Sequence, residues 1–173
     1  MDDTTNAQSF GREILESLDR EFARLHLRSR KIIESTPAEI LYRAGSGTLE
    51  FPGISSRSVG ECILRGAAAI EQTFGGITSN LWDDPFEWTL PEFLTTPGKV
   101  LDHLEEVEAT RGRAFSSFAD DRCLRKRVAT PAQETELLIS LLLETLVRAI
   151  SFQTQGALTL KSLSGISVNG FII

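Results

Sequence analysis

The chain has 173 residues, 41% hydrophobic and 24% charged, with a formal net charge of -6. This profile predicts one globular domain over 1–173 around a single core. It disfavours a surface built to neutralise phosphates, so nucleic acid is not expected as a partner.

The opening MDDTTNAQSF has neither the charged-then-apolar order of a secretory signal nor a myristoylation pattern. Phe10, Ile14, Leu18, Phe22, Leu25 and Ile32 then recur at helical steps, which predicts helix one from about Ser9 to Ser35. Pro37 stops it, and TPAEILY reads as one further turn, with Thr36 as N-cap and Pro37 at the first helical position. The Gly-, Ser- and Pro-rich RAGSGTLEFPGISSR is a loop. Ser58 and Glu61 have the S-x-x-E spacing of a capping box, so helix two opens at Ser58; Gly75-Gly76 is expected to end it.

ITSNLWDDPFEWTLPEFLT, from Ile77 to Thr95, is too broken for a helix and too aromatic for a passive linker. It is expected to pack across the bundle, with Trp82, Phe86 and Trp88 as a lid at one end. Thr96-Pro97 starts helix three, with Val100, Leu101, Leu104, Val107, Phe115 and Phe118 as its stripe. The basic run RCLRKR reads as a solvated loop with local ion pairs. Thr130-Pro131 repeats the starting device with Gln133 three residues on, so helix four is expected from Pro131 to about Leu163, ended by Gly165.

Strand signals are confined to the tail ISVNGFII. Within helix four the most apolar run, Leu137 to Val147, carries Glu144 and falls short of the roughly 20 residues that cross a bilayer, so no membrane partner is expected. The reading is an all-α four-helix bundle, in which the long connection between helices two and three allows those two to run parallel. Cys62 and Cys123 lie far apart and form no CxxC, which fits a reducing cytoplasm better than a disulfide framework or a zinc knuckle.

SVGECILRGAAAIEQTF, NLWDDPFEWTLPEFLTTPGKVLDHLEEVEATR and LLLETLVRAISFQTQGALTLKSLSGI together resemble the DinB-like superfamily of four-helix bundles. The resemblance runs from about Ser9 to Gly165. It implies a site where one His on helix two faces an HxxxH pair on helix four and three imidazoles hold a divalent metal. Laid on that pattern the helix-two His falls at Arg65, and the helix-four pair at Ala149 and Gln153, or at Ile150 and Thr154 in the other register. Arg has no lone pair to give, and Ala and Ile have no donor atom, so the triad reads as lost and neither metal nor cofactor is expected.

Arg65 then has two readings. It lies nearly opposite Ile63, Ile70 and Phe74 on a helical wheel, as an ordinary solvent-facing arginine would. It also stands where the resemblance puts a site residue, as a fixed cation for an internal carboxylate or an anionic ligand. Cys62, one turn away, is read as a buried thiol that a neighbouring cation could activate. His26 and His103 read as solvated surface, each without a second ligand at metal spacing.

The expected function is a small-ligand-binding or interaction module, homodimeric, with a pocket near Arg65, Gln153, Cys62, Trp82 and Trp88, and with the apolar tail Phe171 to Ile173 in the dimer contact. The alternative from the resemblance is a divergent metal- or thiol-dependent transferase or hydrolase using Cys62, His26 or His103.

Overall fold

The computed structural model describes residues 11–44, 57–83, 93–132 and 134–168. Trp88 and the tail 171–173 lie outside the described residues. Among those described, four long helices dominate: α1 (Glu13–Glu34), α2 (Val59–Ser79), α3 (Pro97–Ser117) and α4 (Leu138–Ser164).

Helix α1 buries Leu15, Leu18, Phe22, Leu25, Ile32 and Ile33 on one stripe, with Ile14 half exposed beside it. Its N-terminus has no local side-chain cap. The backbone N–H groups of Ile14 and Leu15 donate instead to the Asp121 carboxylate at 3.1 and 2.9 Å, where a negative charge satisfies orphan donors and suits the helix dipole. After α1, a 3₁₀ turn covers Ala38–Ile40, and Thr36 does not cap it. The Thr36 hydroxyl is buried and donates back to the Ile32 carbonyl, so Thr36 closes α1.

Helix α2 opens with the capping box: Glu61 N–H donates to Ser58 Oγ at 3.2 Å, and Ser58 N–H donates to Glu61 Oε2 at 3.0 Å. The helix does not end at Gly75-Gly76; it runs to Ser79 and stops at Asn80, which takes the left-handed conformation (φ 55°). The two glycines are there for space. A Cβ on Gly76 would sit 2.4 Å from the Trp82 ring, which folds back over the last turn.

Helix α3 begins as expected, with Thr96 Oγ1 accepting from Lys99 N–H at 3.3 Å and Pro97 in the first turn. Helix α4 begins later than Pro131. The chain first makes a 3₁₀ turn (Asp121–Arg125) and an antiparallel hairpin of β1 (Arg127–Ala129) and β2 (Thr135–Leu137), with Arg127 opposite Leu137 and Ala129 opposite Thr135. β2 runs straight into α4, and Leu138 N–H donates to the Lys126 carbonyl at 2.9 Å, so the hairpin does the work of a cap. Gly165 ends α4 at φ 72°, as its position suggested.

Side-chain pairings fix the helix directions. Arg30 with Glu105, Arg111 with Asp19, and Arg12 with the Phe118 carbonyl run in opposite senses along α1 and α3. Gly66 lies against Ala149, and Gly156 against Cys62 and Ile63, so α2 and α4 are also antiparallel. The Tyr42 ring covers Gly60 at the start of α2, and its hydroxyl donates to the Leu94 carbonyl just ahead of α3, whereas Phe74 meets Phe115 towards the far ends. Helices α2 and α3 are therefore parallel, so the end of α2 and the start of α3 lie at opposite ends of a helix about 30 Å long.

The aromatic centre of the core is Phe22, Phe74 and Phe115, one from each of α1, α2 and α3, with ring centroids 5.4–5.8 Å apart. Phe118 adds an edge-on contact to Phe115.

Candidate functional site

Where the middles of the four helices meet, small residues leave a cleft. Buried Gly66 and Ala67 of α2, Ala149 of α4, Leu25 of α1 and Leu104 of α3 line its inner wall; the partly exposed His26 and Ser29 of α1 and Glu108 of α3 form its rim. The space open to the centre of a water molecule is about 20 Å³, enough for one ordered water or the end of a small group. A Cβ on Gly66 would lie 3.4 Å from the Ala149 carbonyl oxygen, an ordinary contact; the closer approach of α2 and α4 is at Gly156, where a Cβ would lie 3.2 Å from the Cys62 side chain.

Gln153 lies behind the rim and is 2% exposed. Its amide nitrogen donates to the Leu25 carbonyl and to Ser29 Oγ, both at 2.7 Å. Its Oε1 is buried and accepts no hydrogen bond. A buried acceptor left open costs about 1–3 kcal/mol, which makes it a natural point for a donor from a bound molecule or water.

Glu108 is held at the rim by Arg111, which is only 5% exposed. The guanidinium donates to both Glu108 oxygens (2.8 and 2.6 Å) and to Asp19, and lies 5.4 Å from the Phe115 ring centroid. Burial works against the charge, and the Glu108 and Asp19 hydrogen bonds outweigh it, so the group is held more firmly protonated than in water.

The residues picked from the sequence are only partly brought together. Ala149 and Gln153 both face the interior, as one register of the helix-four pair required; Ile150, from the other register, faces outward. Arg65 is half-buried, and it is its neighbour Gly66 that lines the cleft. Cys62 is fully buried next to Gly156. Trp82 stands over Gly76, about 16 Å along α2 from Arg65.

The histidines correct the expectation of solvated surface. The His26 and His103 side chains are 12% and 13% exposed; His26 Nε2 lies 3.5 Å from Glu105, and His103 Nε2 lies 3.8 Å from Glu71 on α2. Because α3 is flanked by α1 on one side and α2 on the other, side chains at its margins are covered. Burial, more than the opposing pull of His103, raises the Glu71 carboxyl above its ordinary range. The basic run keeps its local pairing, with Arg122 on Asp120 at 2.6 Å, while Cys123 and Leu124 within it are buried.

Among the described residues no group of three His, Cys, Asp or Glu side chains is placed to hold a metal ion, and no helix is long and apolar enough to cross a membrane. Cys62 is not set up as a nucleophile: burial pushes its thiol up to about 11, against the weaker downward pull of Arg57 and Arg65. Sequence reading missed Ser29, Glu108 and Arg111. Glu108 and Arg111 carry a visible i,i+3 spacing, but nothing local shows that they turn inward.

Two weak acids, the buried Cys62 thiol and the partly buried Tyr42 phenol, make the stability depend on pH. Folding raises the Cys62 pKa from 9.0 to about 11 and, mainly through burial with help from Glu61, the Tyr42 pKa from 10.0 to about 12. The folded state holds both protons more tightly, so this stability is complete below pH 9, and is lost as pH rises through 11 and then 12. Urea unfolding at pH 8 and pH 10.5 is expected to show a lower midpoint at the higher pH, with a smaller drop in Cys62→Ala. An unchanged midpoint would refute this placement of the thiol and phenol.

No family model, curated protein or solved structure matches the chain.

Proposed function

We propose that the chain is a DinB-like bundle without the family's imidazole triad, and that it acts in the cytoplasm as a small-ligand-binding module. Four helices with α2 and α3 parallel support the first part of this reading. So does the inward placement of Ala149 and Gln153, the positions at which the resemblance puts the helix-four ligands. Two cysteines, both free and buried, are in keeping with a reducing compartment.

The single observation that carries the ligand-binding reading is the open Oε1 of buried Gln153 beside a cleft rimmed by Ser29, His26 and Glu108. Gln153 Oε1 is an open acceptor, Glu108 keeps spare lone pairs beside its ion pair with Arg111, and the Ser29 hydroxyl, which accepts from Gln153, is left to donate. They favour a small hydrogen-bond donor, such as an amine or amide, over the anion that Arg65 suggested.

The test is a thermal-shift screen of small amines, amides and alcohols against wild type, Gln153→Met and the cleft-filling Ala149→Leu. A compound present at 100 times its Kd is expected to stabilise wild type by about 2.7 kcal/mol and to have little effect on either variant. A library that leaves wild type unshifted, or shifts that survive in both variants, would sink the reading.

A further inference from the structure

Helix α4 carries only three charged residues in its 27, namely Glu144, Arg148 and Lys161. Its buried residues, Leu138, Leu142, Ala149, Gln153 and Leu160 among them, lie on one side. The opposite side is apolar as well: Leu143, Val147, Ile150 and Leu158 are 46, 64, 40 and 47% exposed. With half-buried Thr154 they are spaced 4, 3, 4 and 4 residues apart, which places all five on one outward stripe within about 80° of arc. An outer helix of a bundle ordinarily turns charged residues to that side.

The charges decide what this stripe fits. Arg148 points sideways, where its guanidinium donates to Gln72 of α2 at 3.0 Å. That leaves Glu144 at the margin near the N-terminal end of the stripe, and Lys161 at its C-terminal end. A parallel partner helix from a second copy would set Glu144 against Glu144 and Lys161 against Lys161. An antiparallel partner, with the two-fold axis near Ile150, sets Leu143 against Leu158 and Val147 against Thr154, and brings Glu144 within a turn of Lys161 of the other copy. It also opposes the two helix dipoles favourably. We infer that this face of α4 is a homodimer surface on which two copies pair antiparallel about Ile150.

The stripe from Leu143 to Leu158 is about 22 Å long, a single-helix contact at the small end of specific interfaces, so the dimer is expected to be weak and concentration-dependent. The stripe points away from the cleft, so dimerisation and ligand binding are independent.

Sedimentation equilibrium of the full chain over a concentration series is expected to show a monomer–dimer equilibrium. Val147→Glu should abolish it up to roughly 100 μM, while circular dichroism at a concentration where wild type is monomeric shows the same fold. Glu144→Lys and Lys161→Glu are each expected to weaken the dimer by about 2–5-fold, and the double reversal to restore it. In a chain with Cys62 and Cys123 replaced by Ala, Leu143→Cys together with Leu158→Cys should give a mixed 143–158 cross-link between copies.

Wild type that stays monomeric would overturn the inference, and a gain of dimer on deleting 169–173 would then show that the chain's own end covers the face. A dimer indifferent to Val147→Glu, charge reversals without rescue, or 143–143 and 158–158 cross-links would overturn it too. Loss of dimer with ligand shifts intact, or the reverse, separates failure here from failure of the ligand reading.

Discussion

Phe74→Ala is expected to destabilise the fold by about 3–5 kcal/mol, at the upper end of what truncating one core side chain costs. Phe74 is fully buried, and its ring lies 5.4 Å from Phe22 and 5.6 Å from Phe115. Removing it forfeits the transfer energy of the ring, leaves a void among three helices and breaks two aromatic contacts of about 0.5–1.5 kcal/mol each. The urea midpoint should fall with an unchanged m-value, since the same surface is exposed on unfolding. Phe74→Leu should cost less, because much of the volume stays. A loss under about 1 kcal/mol for the alanine variant would mean that the three rings do not form the packed centre described.

Arg111→Met should cost about 2–4 kcal/mol, although the position is on the inward edge of an otherwise charged helix. Methionine keeps the packing on Phe115 but leaves Glu108 and Asp19 without the cation that holds them. Asp19 is about half exposed and can return to water, whereas Glu108, with a side chain only 24% exposed, carries most of the penalty. The check is a double-mutant cycle with Glu108→Gln. A coupling of about 1–3 kcal/mol between the two positions is expected, against near zero if the pair were merely a surface salt bridge. Arg111→Lys should recover little, since an ammonium cannot bridge two carboxylates with the planar fork. Because Glu108 sits on the rim of the cleft, the same variants should weaken any ligand that binds there.

Local chemistry carried much of the fold into the sequence. Ser58 with Glu61, Thr96 with Pro97, and Gly165 each act within one turn of their own position, and each terminus stands where its residues suggested. The features that escaped depend on distant partners. Asp121 caps α1 from more than a hundred residues away, so α1 has no starting signal of its own. Gly75 and Gly76 look like a stop until Trp82 folds back over them. The hairpin 127–137 is built from two strands of three residues, too short for alternation to register, and the Thr130-Pro131 pair inside it mimics a helix start.

The site was legible to a similar degree. Cys62 lies in an apolar stretch and is buried, as its residue type suggested, whereas Gln153 was marked only by the resemblance, its own neighbours Ser151, Thr154 and Gln155 giving no local sign of burial. Arg65 is the lone cation of its run, while it is the glycine beside it that lines the cleft. The inward turn of His26, Glu108 and Arg111 is decided by how α3 wedges between α1 and α2, a matter of packing that no window of sequence reports.

The antiparallel packing of α2 on α4 has a consequence for synthesis. These helices meet through Gly66, Ala149 and Gly156, and 13 of the 21 residues of α2 are buried in the finished fold. Yet α4 is the last of the four described helices to be made, and Ser164 follows Ser79 by 85 residues. At 5–20 residues per second, α2 spends about 4–17 s outside the ribosome before its main partner exists. During translation, its weakly charged surface has only α1, and then α3, for cover.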